Sequence, residues 1–200
     1  MQLRAEALVC AVRPHGETAV IARLLTAERG LVAVYVAGGR GRQLRPVLIP
    51  GNMVDADIRS RSESQLPFAR LELLVSRGPW LTEPLPAAAI GWACSLTAAA
   101  LPERHAYPAV YAALAALLDA VCHAPSARGW LPGLLTYEAL VLRELGYGGD
   151  VVQPAGEDWA AQLAAFDLSG ARLERYPLAE RRGDVMGART MLRQRLARIS

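Results

Sequence analysis

Residues 38–45, with the sequence GGRGRQLR, combine the residue types that suit a phosphate-binding loop. Glycine lets a backbone approach a ligand closely, and each guanidinium can donate two hydrogen bonds to the oxygens of one phosphate. The segment follows a predicted strand that ends at Ala37, so we expect it at the rim of a sheet. We interpret Arg40, Arg42 and Arg45 as contacts to a phosphodiester backbone; a flexible, solvated loop is the alternative interpretation.

Four other arginines could extend this cationic surface. They are Arg13, Arg23, Arg59 and Arg61. The first two flank the neighbouring turn, whereas the last two share a strand face with Asp55 and Asp57, which would weaken its positive charge. An exposed Tyr35 could stack against a base, but core packing of a strand aromatic is the favoured interpretation.

The charge distribution singles out the same part of the chain. Residues 1–80 carry 11 arginines and 7 acidic residues, residues 81–150 carry 3 and 6, and residues 151–200 carry 8 and 6. The formal net charge of +3 therefore conceals a basic front, an acidic middle and a mildly basic tail. A basic surplus in the segment that contains the glycine- and arginine-rich loop favours a polyanionic ligand.

The types of residue present argue against an enzyme. All 22 basic residues are arginine, which excludes a P-loop lysine, a Schiff-base lysine and a lysine general base. The sequence has no GxSxG, HExxH or GxGxxG motif, and residues 103–105 (ERH) are best interpreted as a polar interhelical turn. The three cysteines lie in apolar stretches, as expected of buried free thiols in a reducing compartment. We therefore predict no catalytic residue, no metal site and no cofactor.

The elements that would position the loop are short strands. Five β-rich segments separated by turn residues cover residues 7–13, 18–26, 30–37, 53–62 and 68–76. In the fourth segment, Val54, Ala56 and Ile58 alternate with charged residues, which is the period expected of a half-buried antiparallel strand. Five such strands within 80 residues predict a small closed barrel.

From residue 86 onward, the apolar residues follow a helical period. Helices are predicted over residues 87–101, 108–122 and 130–145, with a short helix over 158–166 and an arginine-rich helix over 184–199. Trp92 and Trp130 are interpreted as core anchors of a helical bundle. Arg189 and Arg193 lie four residues apart in the last helix and form either a second phosphate-contacting surface or a solvated face. The predicted fold class is α+β, with a barrel over residues 1–80 and an α-helical domain over 81–200.

Seven segments, taken in order, form a recognisable pattern. They are residues 7–18 (ALVCAVRPHGET), 25–32 (LTAERGLV), 37–40 (AGGR), 48–52 (LIPGN), 101–108 (LPERHAYP), 137–140 (YEAL) and 144–147 (ELGY). In this order and spacing, the chain resembles the RecO family of bacterial recombination mediators. The resemblance extends over roughly residues 5–150, and the LPERH segment is its most specific part.

The resemblance implies an N-terminal OB-fold barrel followed by an α-helical domain. It also implies binding of single- and double-stranded DNA, annealing of complementary strands, and cooperation with RecR in loading recombinase onto DNA coated with single-stranded-DNA-binding protein. Many members carry a four-cysteine zinc module after the helix that corresponds to the one ending at Gly146-Tyr147. No cysteine follows Cys122 in this chain, so we expect a shortened, zinc-free segment over residues 151–183.

Two hypotheses from different classes remain. The first is a non-enzymatic mediator of DNA repair and recombination, located in the bacterial cytoplasm and associated with the nucleoid. Its partners would be DNA, RecR and the acidic C-terminal tail of single-stranded-DNA-binding protein, the tail docking near Arg104 or Arg128. The second is an OB-fold scaffold without mediator activity, whose arginines contact RNA or acidic protein. Neither hypothesis involves a membrane or a small-molecule substrate.

Overall fold

The computed structural model describes residues 2–60, 62, 65–148, 158–180 and 184–199. The chain divides into two compact units, one of residues 1–82 with 102–111 and the other of residues 83–101 with 112–200. The first unit is a β-barrel and the second is helical, so the predicted α+β fold class is confirmed. None of the helices in the described ranges is long and apolar enough to cross a membrane.

Five strands close the barrel of the first unit. They are β1 (Gln2–His15), β2 (Ala19–Thr26), β3 (Gly30–Val36), β4 (Met53–Arg59) and β5 (Phe68–Val75). Their order around the barrel is β1-β2-β3-β5-β4, and all pairs are antiparallel except β3 with β5. The long β1 pairs with β4 through residues 2–8 and with β2 through residues 7–15, and the β1–β2 ladder contains a register shift between Val9 and Ala11. A five-stranded barrel closed in this way is an OB-fold.

The barrel interior is filled by small and β-branched side chains. Alternate residues of each strand point inward, as Val32, Val34 and Val36 do in β3. The connection from β3 to β4 also contributes to the core, because Asn52 is fully buried and its side-chain amide donates to the Pro46 carbonyl at 2.9 Å. These contacts fix the ends of the segment that carries the predicted phosphate-binding loop.

Residues 102–111 belong to the barrel unit, which the predicted boundary at residue 80 does not anticipate. The amide of Arg104 donates to the Leu31 carbonyl at 2.8 Å, and Glu103 forms a bridge with the same strand residue. A Cβ on Gly30, whose φ is +64°, would lie 1.7 Å from the carbonyl oxygen of His105. The close approach of these two backbones therefore requires glycine at position 30.

Within the described ranges, five α-helices follow the strands. They are α1 (Pro84–Ala100), α2 (Pro108–His123), α3 (Leu131–Glu144), α4 (Trp159–Arg175) and α5 (Val185–Leu196). The fourth is much longer than the predicted 158–166, and its N-terminus is capped by the Asp158 carboxylate, which accepts from the amides of Ala160 and Ala161. Trp92 and Trp130 are buried, in agreement with their interpretation as core anchors, and all three cysteines are buried.

Arg189 occupies the core of the helical unit, so its predicted placement on a phosphate-contacting or solvated face is wrong. Its guanidinium pairs with the buried carboxylate of Glu138, with Nη2 to Oε2 at 2.9 Å and Nε to Oε1 at 3.1 Å. Trp92 Nε1 donates to the same carboxylate at 2.7 Å. Of these two α5 arginines, Arg189 is therefore a structural cation of the core. Arg193 forms an ion pair with Asp167, with Nε 2.6 Å from Oδ1.

Candidate nucleic-acid interface

The loop between β3 and β4 is an ordered cap on the barrel. Residues 41–48 form helical turns in which the Arg45 amide donates to the Gly41 carbonyl at 3.0 Å. Val47 and Leu48 are buried in the barrel core, and Leu44 packs against it. A Cβ on Gly39 would lie 2.6 Å from the Val20 side chain. The loop backbone is therefore held by hydrogen bonds and by packing against the barrel, and its arginines project from it into solvent.

The glycine pattern suggested that backbone amides of the loop bind an anion, but the amides of residues 39–41 already have hydrogen-bond acceptors. The amide of Gly39 donates to the Val36 carbonyl, that of Arg40 donates to Thr18 at 3.0 Å, and that of Gly41 donates to Gly38 at 2.8 Å. The glycines thus serve the tight turn, and the amides of residues 39–41 are already hydrogen-bonded.

The three loop arginines are all exposed but differ in what holds them. Arg40 Nη1 donates to the carbonyls of Gly16 at 3.3 Å and Glu17 at 3.0 Å, which ties the loop to the β1–β2 turn. Arg42 and Arg45 point to solvent, and no carboxylate within the described ranges pairs with either. These two guanidinium groups can bind phosphate without breaking an existing contact.

Arg13 and Arg23 line one shallow cavity of about 250 Å³ on the outer face of β1, β2 and β3. Arg13 is exposed, whereas Arg23 is half-buried and pairs with Glu103 at 3.0 Å. Arg23 lies in the middle of β2 and not beside a turn as predicted, and Glu103 offsets its charge. Of the two, Arg13 is therefore the better phosphate contact.

Arg59 is paired along its own strand. Its Nε and Nη2 donate to the two carboxylate oxygens of Asp57 at 3.0 and 2.7 Å, and this hydrogen bonding lowers the pKa of Asp57 and raises that of Arg59. Arg4 and Asp55 form a second pair at 2.6 Å on the same face. The outer face of β4 is thus largely neutralised, as the shared face predicts. Arg61 lies outside the described residues.

An aromatic row crosses the outer surface of the barrel. The ring centroids of Tyr35 and Phe68 are 5.1 Å apart at an interplanar angle of 68°, and those of His15 and Tyr35 are 5.8 Å apart at 87°. Tyr35 is half-buried and alternates with the inward valines of β3, so the favoured prediction of core packing is wrong. Phe68, with 63% of its surface exposed, was missed from the sequence.

Two residues of this surface, Phe68 and Arg70, were not predicted as site residues, although the strand pattern of β5 indicated their exposure. Phe68, Arg70 and Glu72 share the polar, outward set of β5, and an aromatic residue in such a set marks an exposed ring. Arg70 is exposed beside Phe68, and its Cα pairs with that of Asp57 across the sheet. Both residues line a cavity of about 350 Å³ that Arg59 and Ala37 also border.

Comparison with known proteins decides the family. The family described as Recombination protein O N terminal matches residues 1–76, and Recombination protein O C terminal matches residues 83–179. A DNA repair protein RecO of Dinoroseobacter shibae is 36% identical over 192 residues, which cover 90% of this chain and 78% of that protein. The chain belongs to the RecO family.

Other RecO proteins are similarly close. The DNA repair protein RecO of Caulobacter vibrioides is 41% identical over 169 residues (84% of this chain, 65% of that protein), and that of Phenylobacterium zucineum is 39% identical over 153 residues (76% and 61%). The chain thus spans less than two thirds of the length of these two relatives. The RecO N-terminal match contains all five strands and every candidate arginine, whereas Arg189 lies beyond the C-terminal match.

Proposed function

We propose that the barrel of this RecO-family chain binds DNA through its exposed arginines and that the protein acts as a non-enzymatic mediator of DNA repair and homologous recombination. The observation that carries the proposal is an OB-fold surface with several exposed guanidinium groups that no described carboxylate pairs with. They include Arg13, Arg42, Arg45 and Arg70. The repair role is the one named for its relatives.

Arginine suits this role because its planar fork matches two phosphate oxygens and it keeps its charge at every physiological pH. Contacts of this kind are independent of base sequence. A mediator needs such independence, because it must act wherever a single strand is exposed. In the proposed cycle, the protein anneals complementary strands and, with RecR, loads recombinase onto DNA coated with single-stranded-DNA-binding protein.

The decisive experiment is a salt titration of DNA binding with the double variant Arg42→Ala/Arg45→Ala in the full chain. Each lost phosphate contact lowers the slope of log K against log salt by about 0.7 for a single strand, so the slope should fall by about 1.4. Replacing the exposed Arg143 and Arg175 of the helical unit by alanine removes the same charge and should leave the slope unchanged. Equal slopes in the loop variant and the wild type would remove the loop from the interface.

An annealing assay separates a mediator from a scaffold. Complementary oligonucleotides coated with single-stranded-DNA-binding protein should anneal faster in the presence of this protein, and the loop double variant should reduce the acceleration. DNA binding without any acceleration would instead favour the scaffold hypothesis, in which the arginines contact RNA or acidic protein.

The proposed protein partners can be tested on Arg128. Its guanidinium lies 5.0 Å from the ring centroid of Trp159, which makes a cationic and aromatic surface suited to an acidic, apolar peptide. We expect the C-terminal tail of single-stranded-DNA-binding protein to bind there, and Arg128→Ala to weaken it in an anisotropy titration. If the variant binds the tail like the wild type, Arg104, the other predicted contact, is tested next. RecR binding is measured separately by sedimentation of a mixture.

A further inference from the structure

One row of residues runs across the strands on the outer surface of the barrel. The Cα register pairs Arg13 with Ile21, Ile21 with Tyr35, Tyr35 with Phe68, and Phe68 with Arg59. The row therefore places an aromatic pair at its centre and a guanidinium at each end. Neighbouring strands lie about 4.8 Å apart, so the row is about 19 Å long, comparable with a few nucleotides of an extended single strand.

Phe68 is the most exposed large apolar side chain in the described ranges. It contributes little to the barrel core, which its neighbours Ala69 and Leu71 fill from the opposite face of β5. Its ring is nevertheless supported, because the Tyr35 and Phe68 ring centroids lie 5.1 Å apart in a T-shaped arrangement, which is a favoured geometry. The Phe68 ring is thus held against Tyr35 while most of the side chain remains exposed.

The charged groups around Phe68 indicate which kind of ligand would bind against its ring. The cavity of about 350 Å³ beside the ring is bordered by Arg59, Arg70 and Asp57, so two guanidinium groups accompany one carboxylate. Arg13 lies further along the row. An apolar ring surrounded by a cationic surplus complements a flat, uncharged base on a negatively charged backbone. A duplex does not fit this description, because its bases are already stacked on one another.

We propose that Phe68, supported by Tyr35, is a base-stacking platform for single-stranded nucleic acid, with Arg70 and Arg13 holding the adjacent phosphates. This inference rests on the proposed function and adds a substrate preference to it. The loop arginines attract any polyanion, whereas the stacking platform increases the affinity only for strands with unpaired bases. The loop is connected to this row through the β1–β2 turn, since Arg40 donates to the Gly16 carbonyl and the neighbouring His15 packs against Tyr35 of the row.

The test compares Phe68→Ala with Leu74→Ala, which removes another exposed apolar side chain of β5 about 20 Å along the strand. Stacking of one base on an aromatic side chain is worth about 5- to 150-fold in affinity by alanine substitution. Anisotropy with a single-stranded oligonucleotide should therefore show a loss in that range for Phe68→Ala and none for Leu74→Ala. Phe68→Trp, which keeps an aromatic ring at this position, should bind the single strand without the loss seen for Phe68→Ala.

Three further measurements make the result specific to stacking. An oligonucleotide with abasic sites should bind the wild type and Phe68→Ala equally, duplex affinity should not change, and the salt slope should stay the same. The fluorescence of a 2-aminopurine base should be quenched on binding to the wild type and less so with Phe68→Ala. Circular dichroism should show the same melting for the variant, since the side chain lies outside the core.

The outcomes separate this inference from the proposed function. If Phe68→Ala binds the single strand as the wild type does while the loop variant loses its salt slope, the platform is refuted and DNA binding by charge stands. If the wild type binds no oligonucleotide at low salt, both fail. If Phe68→Ala retains DNA binding but loses binding to RecR or to a second copy of this chain, the row is a protein interface and the platform is likewise refuted.

Discussion

The buried ion pair between Arg189 and Glu138 should be the most consequential polar interaction of the helical unit. The carboxylate is fully buried, the guanidinium is 6% exposed, and the two share a bidentate contact. The guanidinium also lies 3.6 Å from the Phe166 ring centroid and donates to the carbonyl of that residue. Substituting Arg189→Met removes the cation but keeps a side chain of similar length.

The cost follows from what remains after the substitution. Glu138 would be a buried carboxylate with one donor left, Trp92 Nε1. Removing one partner of a buried pair typically destabilises a protein by about 3–5 kcal/mol, because the other charge stays desolvated. The double variant Arg189→Met/Glu138→Gln has no buried charge and keeps an acceptor for the tryptophan, so we expect it to recover all but about 1 kcal/mol.

The assay is urea denaturation followed by tryptophan fluorescence, with the full double-mutant cycle. Gly170→Ala provides an independent route to the same defect, because its Cβ would lie 2.1 Å from Arg189 Nη1. We expect a coupling free energy of at least 2 kcal/mol between the two charges, the order found for groups in direct contact. A cost below about 1 kcal/mol for Arg189→Met would refute the reasoning, since it would mean that water reaches Glu138 in the folded state.

Two further predictions concern the barrel unit. Glu103→Gln removes the carboxylate that pairs with Arg23, so single-strand affinity should rise at low salt and the salt slope should steepen by up to about 0.7; an unchanged slope would show that Arg23 makes no phosphate contact. Gly30→Ala should melt the barrel at a much lower temperature than Gly16→Ala. Both glycines have positive φ, but only at position 30 would the Cβ meet a backbone atom, the His105 carbonyl oxygen; equal melting temperatures would contradict this argument.

The architecture could be predicted from the sequence because the spacing of apolar residues within a strand or helix depends only on residues close together in the chain. The alternation of Val54, Ala56 and Ile58 requires only that one face of β4 be apolar, and all five strands appear where turn residues separate them. The elements that differ depend on contacts distant in sequence. The boundary at residue 80 could not include residues 102–111, because their place is set by the backbone of Leu31 and Gly30 more than 70 residues earlier.

The candidate site was only partly predictable for the same reason. A list of arginines does not show which are already paired, and Arg23 meets Glu103 across 80 positions. Arg189 has the same spacing to Arg193 that a solvated helix face would have, yet its partner Glu138 lies on another helix. Whether Tyr35 faces inward depends on the strand register, which one residue of slip would invert.

In the proposed function, the pairing of charges on the barrel also bears on how an annealed product would be released. The carboxylates of Asp55, Asp57 and Glu103 offset the charge of their arginine partners locally, so attraction for a polyanion is concentrated on the exposed arginines without such partners. We expect these to attract a single strand and a duplex alike, since both present phosphates. Phe68 adds affinity only while a base is unpaired. Once two complementary strands pair, that contribution is withdrawn and the duplex is held by charge alone. We therefore expect product release to be faster than release of either single strand, with the difference lost in Phe68→Ala.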